Sequence, residues 1–473
     1  MAMENLEHNI RELVNQVLKE MNLNPTVSLA TNQMGVFGNI EDAIQAADNA
    51  FKTYITLPLD QRTEIIDNIR SVCLTHNASI ARMAHEETGL GRYEDKVAKN
   101  LLGIKKTPGT EDVVPLAYTN EHGLTLVERA PYGVIGSITP TTNPTVTIIS
   151  NAIGMLAAGN TVVFNPHPGA KKVSTHVIHL LNKAIVEKGG PPNVVTCIEN
   201  PTIESAKTLM THPRIALLVV TGGPAVVKTA MSSGKKVIGA GPGNPPVVVD
   251  ETAKIAKAAK DIVDGASFDN NIICTCEKEI IVVSSVADQL KEEMKKHGAF
   301  ELNADQIRHI TALVISDPGY PGHEGSANKK FVGKDAAWIA REAGIHVPPT
   351  TRLLLCEVEA GHPLVWTEQL MPVMPLVRVS DVDTAINLAV AVEHGFRHTA
   401  IMHSMNIEKL SKMAKMMNCS LFVKNGPSFA GLGYGGAGFA SFTIASPTGE
   451  GITRASTFTR ERRCTLVDHF RII

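Results

Sequence analysis

The chain opens with apolar residues at steps of three and four: Leu6, Ile10, Leu13, Val14, Val17, Leu18 and Met21. That spacing lines one face of a helix and leaves the other face polar, so residues 1–22 are expected to form an amphipathic helix. Asn22-Leu-Asn-Pro-Thr stops the pattern, and residues 23–39 carry no helical period, as a tether would. Two readings stand at this point: a first helix packed on its own domain, or a separate segment that docks elsewhere. From Ile40 to Asn100 the helical period returns, through Glu64-Ile-Ile-Asp-Asn-Ile-Arg and Ile80-Ala-Arg-Met-Ala-His-Glu-Glu, and predicts two or three packed helices.

After Thr125-Leu-Val-Glu-Arg the pattern changes to short β-branched runs: Gly133-Val-Ile-Gly-Ser-Ile, Thr161-Val-Val-Phe, Val194-Val-Thr-Cys-Ile and Ile215-Ala-Leu-Leu-Val-Val. Helical stretches near 145–158, 170–188, 204–210 and 225–232 separate them. Strand and helix alternating at this spacing predict a parallel, doubly wound α/β sheet, with ligands bound outside the carboxyl ends of its strands. A second α/β stretch begins at Val247-Val-Val-Asp and continues through Glu279-Ile-Ile-Val-Val, Ala312-Leu-Val-Ile and Leu353-Leu-Leu to Ser420-Leu-Phe-Val. The chain closes with Phe439-Ala-Ser-Phe-Thr-Ile and a basic tail at Arg460-Glu-Arg-Arg.

Composition narrows what such a chain can do. With 45 Lys+Arg against 47 Asp+Glu over 473 residues, no basic face is available for a phosphate backbone, and no nucleic-acid partner is expected. No apolar run reaches the roughly 18 residues of a membrane span. Glu7, His8, Arg11, Glu12 and Lys19 interrupt the first 21 residues, so no secretory signal is expected either. Seven scattered cysteines fit a reducing, cytoplasmic setting rather than a disulfide framework.

Several motifs invite chemistry and most fail on context. Gly431-Leu-Gly-Tyr-Gly-Gly fits a dinucleotide fingerprint but leads into no helix. Val219-Val-Thr-Gly-Gly-Pro is a better phosphate candidate, because a strand ends at Gly222-Gly223 and Pro224 suits the first position of a helix whose amides are free. His394 with His398, His176 with His179, and Cys274 with Cys276 all lack the further ligands a metal needs, so no metal is expected. Cys274 and Cys276 lie between a helical segment and a strand, where either could be a buried small hydrophobe or a nucleophile.

Ser267-Phe-Asp-Asn-Asn-Ile-Ile-Cys274, with Glu277-Lys-Glu, resembles the nucleophile segment of CoA-acylating aldehyde dehydrogenases, in particular the propionaldehyde and butyraldehyde branch. The resemblance runs over nearly the whole chain after about residue 35. It includes Gly91-Arg-Tyr-Glu-Asp-Lys, Thr107-Pro-Gly-Thr-Glu-Asp, Pro131-Tyr-Gly-Val-Ile-Gly-Ser-Ile-Thr-Pro-Thr-Thr-Asn-Pro-Thr, Gly239-Ala-Gly-Pro-Gly-Asn-Pro-Pro, Thr367-Glu-Gln-Leu-Met-Pro and Thr448-Gly-Glu-Gly-Ile-Thr.

The resemblance implies the aldehyde dehydrogenase fold: a Rossmann-like NAD-binding domain (40–116 and 131–241), an α/β catalytic domain (242–435), and oligomerisation strands with the tail (117–130 and 436–473). Strands near 124–128 and 439–444 would form the flap of a homodimer or homotetramer. Cys274 is implied as nucleophile in preference to Cys276, Asn143 as the side-chain donor to the oxyanion, and His398 as an assistant in the CoA step. Thr139, Pro140, Asn165, His167, Thr221, Gly222, Gly223, Pro224 and Glu368 are implied to hold NAD, with Glu368 reaching the nicotinamide ribose.

Hydrolytic members of the superfamily activate water with a glutamate in a Leu-Glu-Leu-Gly-Gly segment, whereas this chain reads Val237-Ile-Gly-Ala-Gly-Pro, with Gly239 at or near that position. The implied reaction is therefore transfer of the acyl group of a short aldehyde, propionaldehyde foremost, to CoA; release of the free acid is the rival outcome. The amphipathic stripe also gains meaning, since propionaldehyde dehydrogenases of bacterial microcompartments carry such a helix. The resemblance implies that residues 4–21 dock on a shell protein and locate the enzyme inside a microcompartment.

Overall fold

The computed structural model describes residues 34–473, so the amphipathic helix expected at 1–22 lies outside the described residues. Strand β1 (Val36–Phe37) comes first, then helices Ile40–Tyr54, Leu59–Thr88 and Tyr93–Lys106. Part of the expected tether is thus built into the fold: Val36 is buried, and the Cys197 N–H donates to Gly35 O at 2.8 Å. Two residues are too short a run to show a period, which is why the sequence reads as loop there. Asn39 then caps the first helix, its side chain accepting the Asp42 N–H at 2.8 Å.

Strands β2 (Leu116–Asn120) and β3 (Gly123–Pro131) precede β4 (Val134–Thr139), β5 (Thr161–Pro166), β6 (Val195–Ile198), β7 (Ile215–Thr221) and β8 (Val237–Ala240). The first sheet has the order β1-β6-β5-β4-β7-β8, and every pairing in it is parallel. Strands β4 and β5 at its centre are buried along their whole length because helices cover both faces. Counting from β4, the order is third, second, first, fourth, fifth, so the winding reverses between β4 and β7 and opens a crevice at their carboxyl ends.

The second sheet takes β9 (Pro246–Val249), β10 (Glu279–Val283), β11 (Ala299–Glu301), β14 (Leu353–Glu357), β15 (Val373–Val379), β16 (Thr399–His403) and β17 (Leu421–Lys424), in the order β11-β14-β15-β10-β9-β16-β17. It too is wholly parallel. Two small antiparallel pairs join β12 (Ile315–Asp317) to β13 (Ser326–Ala327) and β18 (Ile444–Ala445) to β19 (Gly451–Ile452). Ile315 of the run Ala312-Leu-Val-Ile opens β12, and the other three residues close the helix Ala304–Val314. Its start signal lies upstream, where Asn303 and Gln306 form a reciprocal cap.

The third sheet is antiparallel and pairs β2, β3 and β20 (Thr459–Val467). This corrects the flap drawn from the sequence. The segment 439–444 is not part of that sheet; Ala440, Ser441, Phe442 and Thr443 are buried inside the body of the protein. The partner of β3 is the supposed basic tail, whose Arg460, Arg462 and Arg463 concealed a strand because the sheet is exposed there and needs no apolar face.

The two parallel sheets meet at a crossover, residues 241–245, pinned by the Asn244 side-chain amide donating to Val365 O (3.1 Å) and Val392 O (3.0 Å). A second tie comes from the helix Tyr93–Lys106. Gly91, just before it, has φ +68°, and a Cβ there would stand 1.9 Å from Asp269 Oδ1. Gly91→Ala should therefore both strain the backbone and push Asp269 aside, with an expected loss of about 2–4 kcal/mol in denaturant unfolding. A loss below about 1 kcal/mol would mean that this contact is not close-packed.

Candidate active site

Cys274 lies just before β10, Gly243 before β9, Glu368 before β15 and His398 immediately before β16. Because these strands are adjacent and parallel, their amino ends form one edge, and the four residues gather on it. Thr139, Asn165 and Thr221 lie at or near the carboxyl ends of β4, β5 and β7, with Thr139 paired to Pro166 and its neighbour Ile138 paired to Val220. Asn143 follows β4 and immediately precedes the helix Pro144–Ala157.

Cys274 is half-buried at the rim of an apolar cluster formed by Leu102, Val146, Phe268, Ile273 and Phe442. Cys276 is buried within that cluster, its thiol directed at Phe268 O, so it packs as a small hydrophobe. The loop ahead of Cys274 starts with three residues in left-handed backbone, Asp269, Asn270 and Asn271. Asn and Asp tolerate that conformation better than other side-chain-bearing residues. Their side chains then lock it: Asn270 Nδ2 donates to Gly333 O (3.0 Å), and Asn271 Nδ2 donates to Ala266 O (2.7 Å) and Glu277 O (2.8 Å).

Beneath the loop lies the buried ammonium of Lys278, which donates to Asn271 O (3.1 Å), Asn271 Oδ1 (2.5 Å) and Ile273 O (3.2 Å). Burial pushes the Cys274 thiol up to about 12, with the charge of Glu368 adding to the effect; Lys278 and the backbone N–H groups of Cys274 and Thr275 pull the other way. The site thus holds a protonated thiol whose anion is favoured by one cation and two amides. Burial also raises Glu368 to about 7, against Lys278 and the Gly243 N–H, which donates to Glu368 Oε1 at 3.3 Å.

His398 is fully buried. Burial, aided by Lys278, lowers it to about 3, so it is neutral. Its Nδ1 pairs with Thr399 Oγ1 at 2.8 Å, while Nε2 has no partner. Gly243 joins these groups: a Cβ on it would lie 2.9 Å from His398 Cγ and 3.0 Å from Cys274 O. Only a residue without a side chain lets the crossover pass between the histidine and the loop that carries Cys274. Asn143 is buried, with its Oδ1 accepting from Lys99 Nζ at 2.6 Å and its Nδ2 donating to Thr142 Oγ1 at 3.2 Å.

The residues expected around the cofactor divide by chemistry. Thr139 Oγ1 is buried at the crevice without a partner, a free polar group awaiting one. The helix Pro224–Met231 starts there with Pro224 at its first position and no side-chain cap, leaving its first amides free, and a Cβ on Gly223 would meet open space. Asn165 is buried and accepts from Ser205 Oγ at 2.6 Å, whereas the His167 ring is exposed beside it in sequence. Thr221 Oγ1 is shared with Thr443 Oγ1 at 2.9 Å; Pro140 and Gly222 are half-buried nearby. Free amides, an orphaned hydroxyl and a side-chain-free approach fit a dinucleotide.

Lys99, Asp269, Lys278 and Gly243 are the site residues that sequence reasoning missed. Of these only Lys278 carried a signal in the sequence, as a charge within the apolar stretch Asn270-Asn-Ile-Ile-Cys-Thr-Cys-Glu-Lys-Glu-Ile-Ile that must be buried and partnered. A separate cleft of about 870 Å³, lined by Arg92, Tyr93, Trp338, Arg341 and Arg352 among others, contains none of the predicted residues and is not this site. Among the described residues no group of three or more His, Cys, Asp or Glu is arranged to hold a metal ion, and no helix is long and apolar enough to cross a membrane.

Comparison with known proteins places this geometry. The acetylating acetaldehyde dehydrogenase of Escherichia coli K12 is 50% identical over 468 residues, 99% of this chain and 100% of the relative. A solved structure of Rhodopseudomonas palustris propionaldehyde dehydrogenase, with bound CoA and an acylated cysteine, matches at a TM-score of 0.89 and 50% identity, covering 92% of this chain and 98% of that one. The propionaldehyde dehydrogenase from the fucose utilisation bacterial microcompartment of Clostridium phytofermentans matches at 0.90 and 47%, covering 93% and 100%. The model of the aldehyde dehydrogenase family matches residues 22–443, and with these relatives it establishes that the chain belongs to the aldehyde dehydrogenase family.

Proposed function

We propose that this chain is a CoA-acylating, NAD-dependent aldehyde dehydrogenase that converts a short aliphatic aldehyde, propionaldehyde foremost, and CoA into the acyl-CoA. The observation that carries acylation over hydrolysis is the end of β8. Gly239 stands where hydrolytic relatives of the superfamily carry their glutamate, and its backbone N–H donates to Thr448 Oγ1 at 3.0 Å. No carboxylate at that position can activate water.

The Cys274 thiol gives up its proton to solvent, its Sγ attacks the aldehyde carbon, and the Asn143 amide together with the Cys274 backbone N–H receives the oxyanion. Thr139, Pro140, Asn165, His167, Thr221, Gly222, Gly223, Pro224 and Glu368 hold the dinucleotide, which when bound supplies the hydride acceptor. The acyl group is then a thioester on Cys274, and exchange for the thioester of CoA is nearly balanced in energy. As the CoA sulfur attacks, its proton passes to the departing Cys274 thiolate, and neutral His398, with Nε2 free, is suited to accept a hydrogen bond from the CoA thiol.

The finer assignments rest on further support. The exposed apolar residues Leu116, Tyr118, Leu466 and Val467 on β2 and β20 favour a homodimer or homotetramer joined through this sheet. The stripe Leu6–Met21, and a relative taken from a microcompartment, favour docking of residues 4–21 on a shell protein inside a bacterial microcompartment of the cytoplasm.

Following NADH with and without CoA, and identifying the product, tests the activity: the thioester should form and NADH production should stall without CoA. Accumulation of free acid at an equal rate without CoA would establish the hydrolytic reaction. Cys274→Ala should abolish NADH formation, whereas Cys276→Ala should retain it. Alkylation of Cys274 by iodoacetamide should rise about tenfold per pH unit from about pH 7 to pH 10, since the thiolate is the minor form throughout; a plateau below about pH 9 would mean an activated thiolate instead. Removing residues 1–21 should leave activity in solution intact and abolish shell co-purification, and a truncated chain that is inactive or unfolded would return the stripe to the domain core.

A further inference from the structure

Two lysines and one aspartate are buried together between the helix Tyr93–Lys106 and the nucleophile loop. Lys96 and Lys99 are each 2% exposed and Asp269 is 0% exposed. Asp269 pairs with Lys96 at 3.2 Å and with Lys99, and it accepts the Arg92 backbone N–H at 2.6 Å. Burial alone would raise this carboxyl, but Lys99 and Lys96 carry it below the ordinary carboxylate value, so it is ionised. Lys96 is lowered to about 8, chiefly by burial and then by Lys99. Two cations thus share one carboxylate in a dry interior.

Ion pairing accounts for Lys96, but Lys99 does more. Its Nζ also donates to Asn143 Oδ1 at 2.6 Å, a contact that Lys96 does not make. An amide has one acceptor end and one donor end. With Oδ1 held by an ammonium, the Nδ2 end is the only one that can face an incoming oxygen. The contact also draws electron density toward Oδ1, which makes the Nδ2 hydrogens better donors.

We propose that Lys99 is a positioning residue for the oxyanion: it fixes the Asn143 amide with Nδ2 outward, and through Asp269 it fastens that amide to the loop that carries Cys274. The proposal rests on the reading of Asn143 as the oxyanion donor given above. Lys99 sets where the donor stands and how strongly it donates, while touching neither substrate nor thiol. The charges acting on the Cys274 thiol are those of Glu368 and Lys278.

A double-mutant cycle decides the matter. Lys99→Met should lower kcat on the order of 10²-fold, as loss of an oxyanion donor does, with KM for the aldehyde changed less than about threefold. In an Asn143→Ala background the same substitution should cost no more than about threefold further, because its partner is gone. The rate of Cys274 alkylation by iodoacetamide, a reaction that forms no oxyanion, should stay within about twofold of the parent. Multiplicative losses in the cycle, or an alkylation rate that falls in step with kcat, would overturn the proposal and leave Lys99 as a support of the loop. A folded Asn143→Ala variant with full kcat would instead remove the reading beneath it. If Lys99→Met does not fold, Lys99→Arg keeps a cation for Asp269 with a different reach to Asn143 and runs through the same cycle with a smaller loss.

Discussion

The buried pairing of Asp269 with Lys96 and Lys99 is the interaction on which the rest of the site depends. Moving three charges out of water is costly, and such a cluster persists only when each member is held by good geometry. Removing one partner of a buried pair typically costs about 3–5 kcal/mol, because the remaining charge is left uncompensated. In return the cluster joins two distant parts of the chain, a helix of the first α/β half and the loop that leads into β10 of the second. The left-handed backbone of Asp269, Asn270 and Asn271 is the consequence. It turns the chain so that Asp269 faces the lysines while Cys274, five residues on, faces the crevice.

Around that anchor, parallel topology does the assembling. In a parallel sheet every strand presents the same end on one edge, so residues preceding β9, β10, β15 and β16 become neighbours although more than a hundred residues separate Gly243 from His398. The first sheet contributes its opposite, carboxyl, edge. One sheet ends where the other begins, so the carboxyl edge of the first and the amino edge of the second are joined by residues 241–245. The surroundings explain the chemistry as well. A thiol raised by burial is a weak anion, and Cys274 sits half-buried at the rim of an apolar cluster. The same burial keeps His398 neutral and Glu368 close to neutrality.

Much of this was legible in the chain. The β-branched runs from Gly133 to Val220 marked the first sheet, and Thr221-Gly-Gly-Pro marked the helix start at its crevice, because buried parallel strands are apolar throughout and Pro suits a first helical turn. Cys274 was preferred to Cys276 by resemblance alone, since nothing in its spacing separates the two; in the structure Cys276 is buried inside the cluster of Phe268 and Val146 and Cys274 lies at its rim. Three features were hidden for physical reasons. Strand β1 is two residues long, strand β20 is exposed and so charged that it reads as a tail, and the 439–444 run is apolar because it fills the interior rather than a sheet. Lys99 and Asp269 were invisible because their partners come from remote segments, and sequence alone presents each as a surface charge.

The central claim is that an acyl group rests on Cys274 in a site built to pass it to a thiol and not to water. Mass spectrometry of the intact protein after mixing with propionaldehyde and NAD⁺, without CoA, tests this directly. The account predicts a propionyl adduct confined to the peptide containing Cys274, persisting over many turnover times and vanishing on addition of CoA. An adduct that decays as fast without CoA as with it, or one found on Cys276, would contradict it.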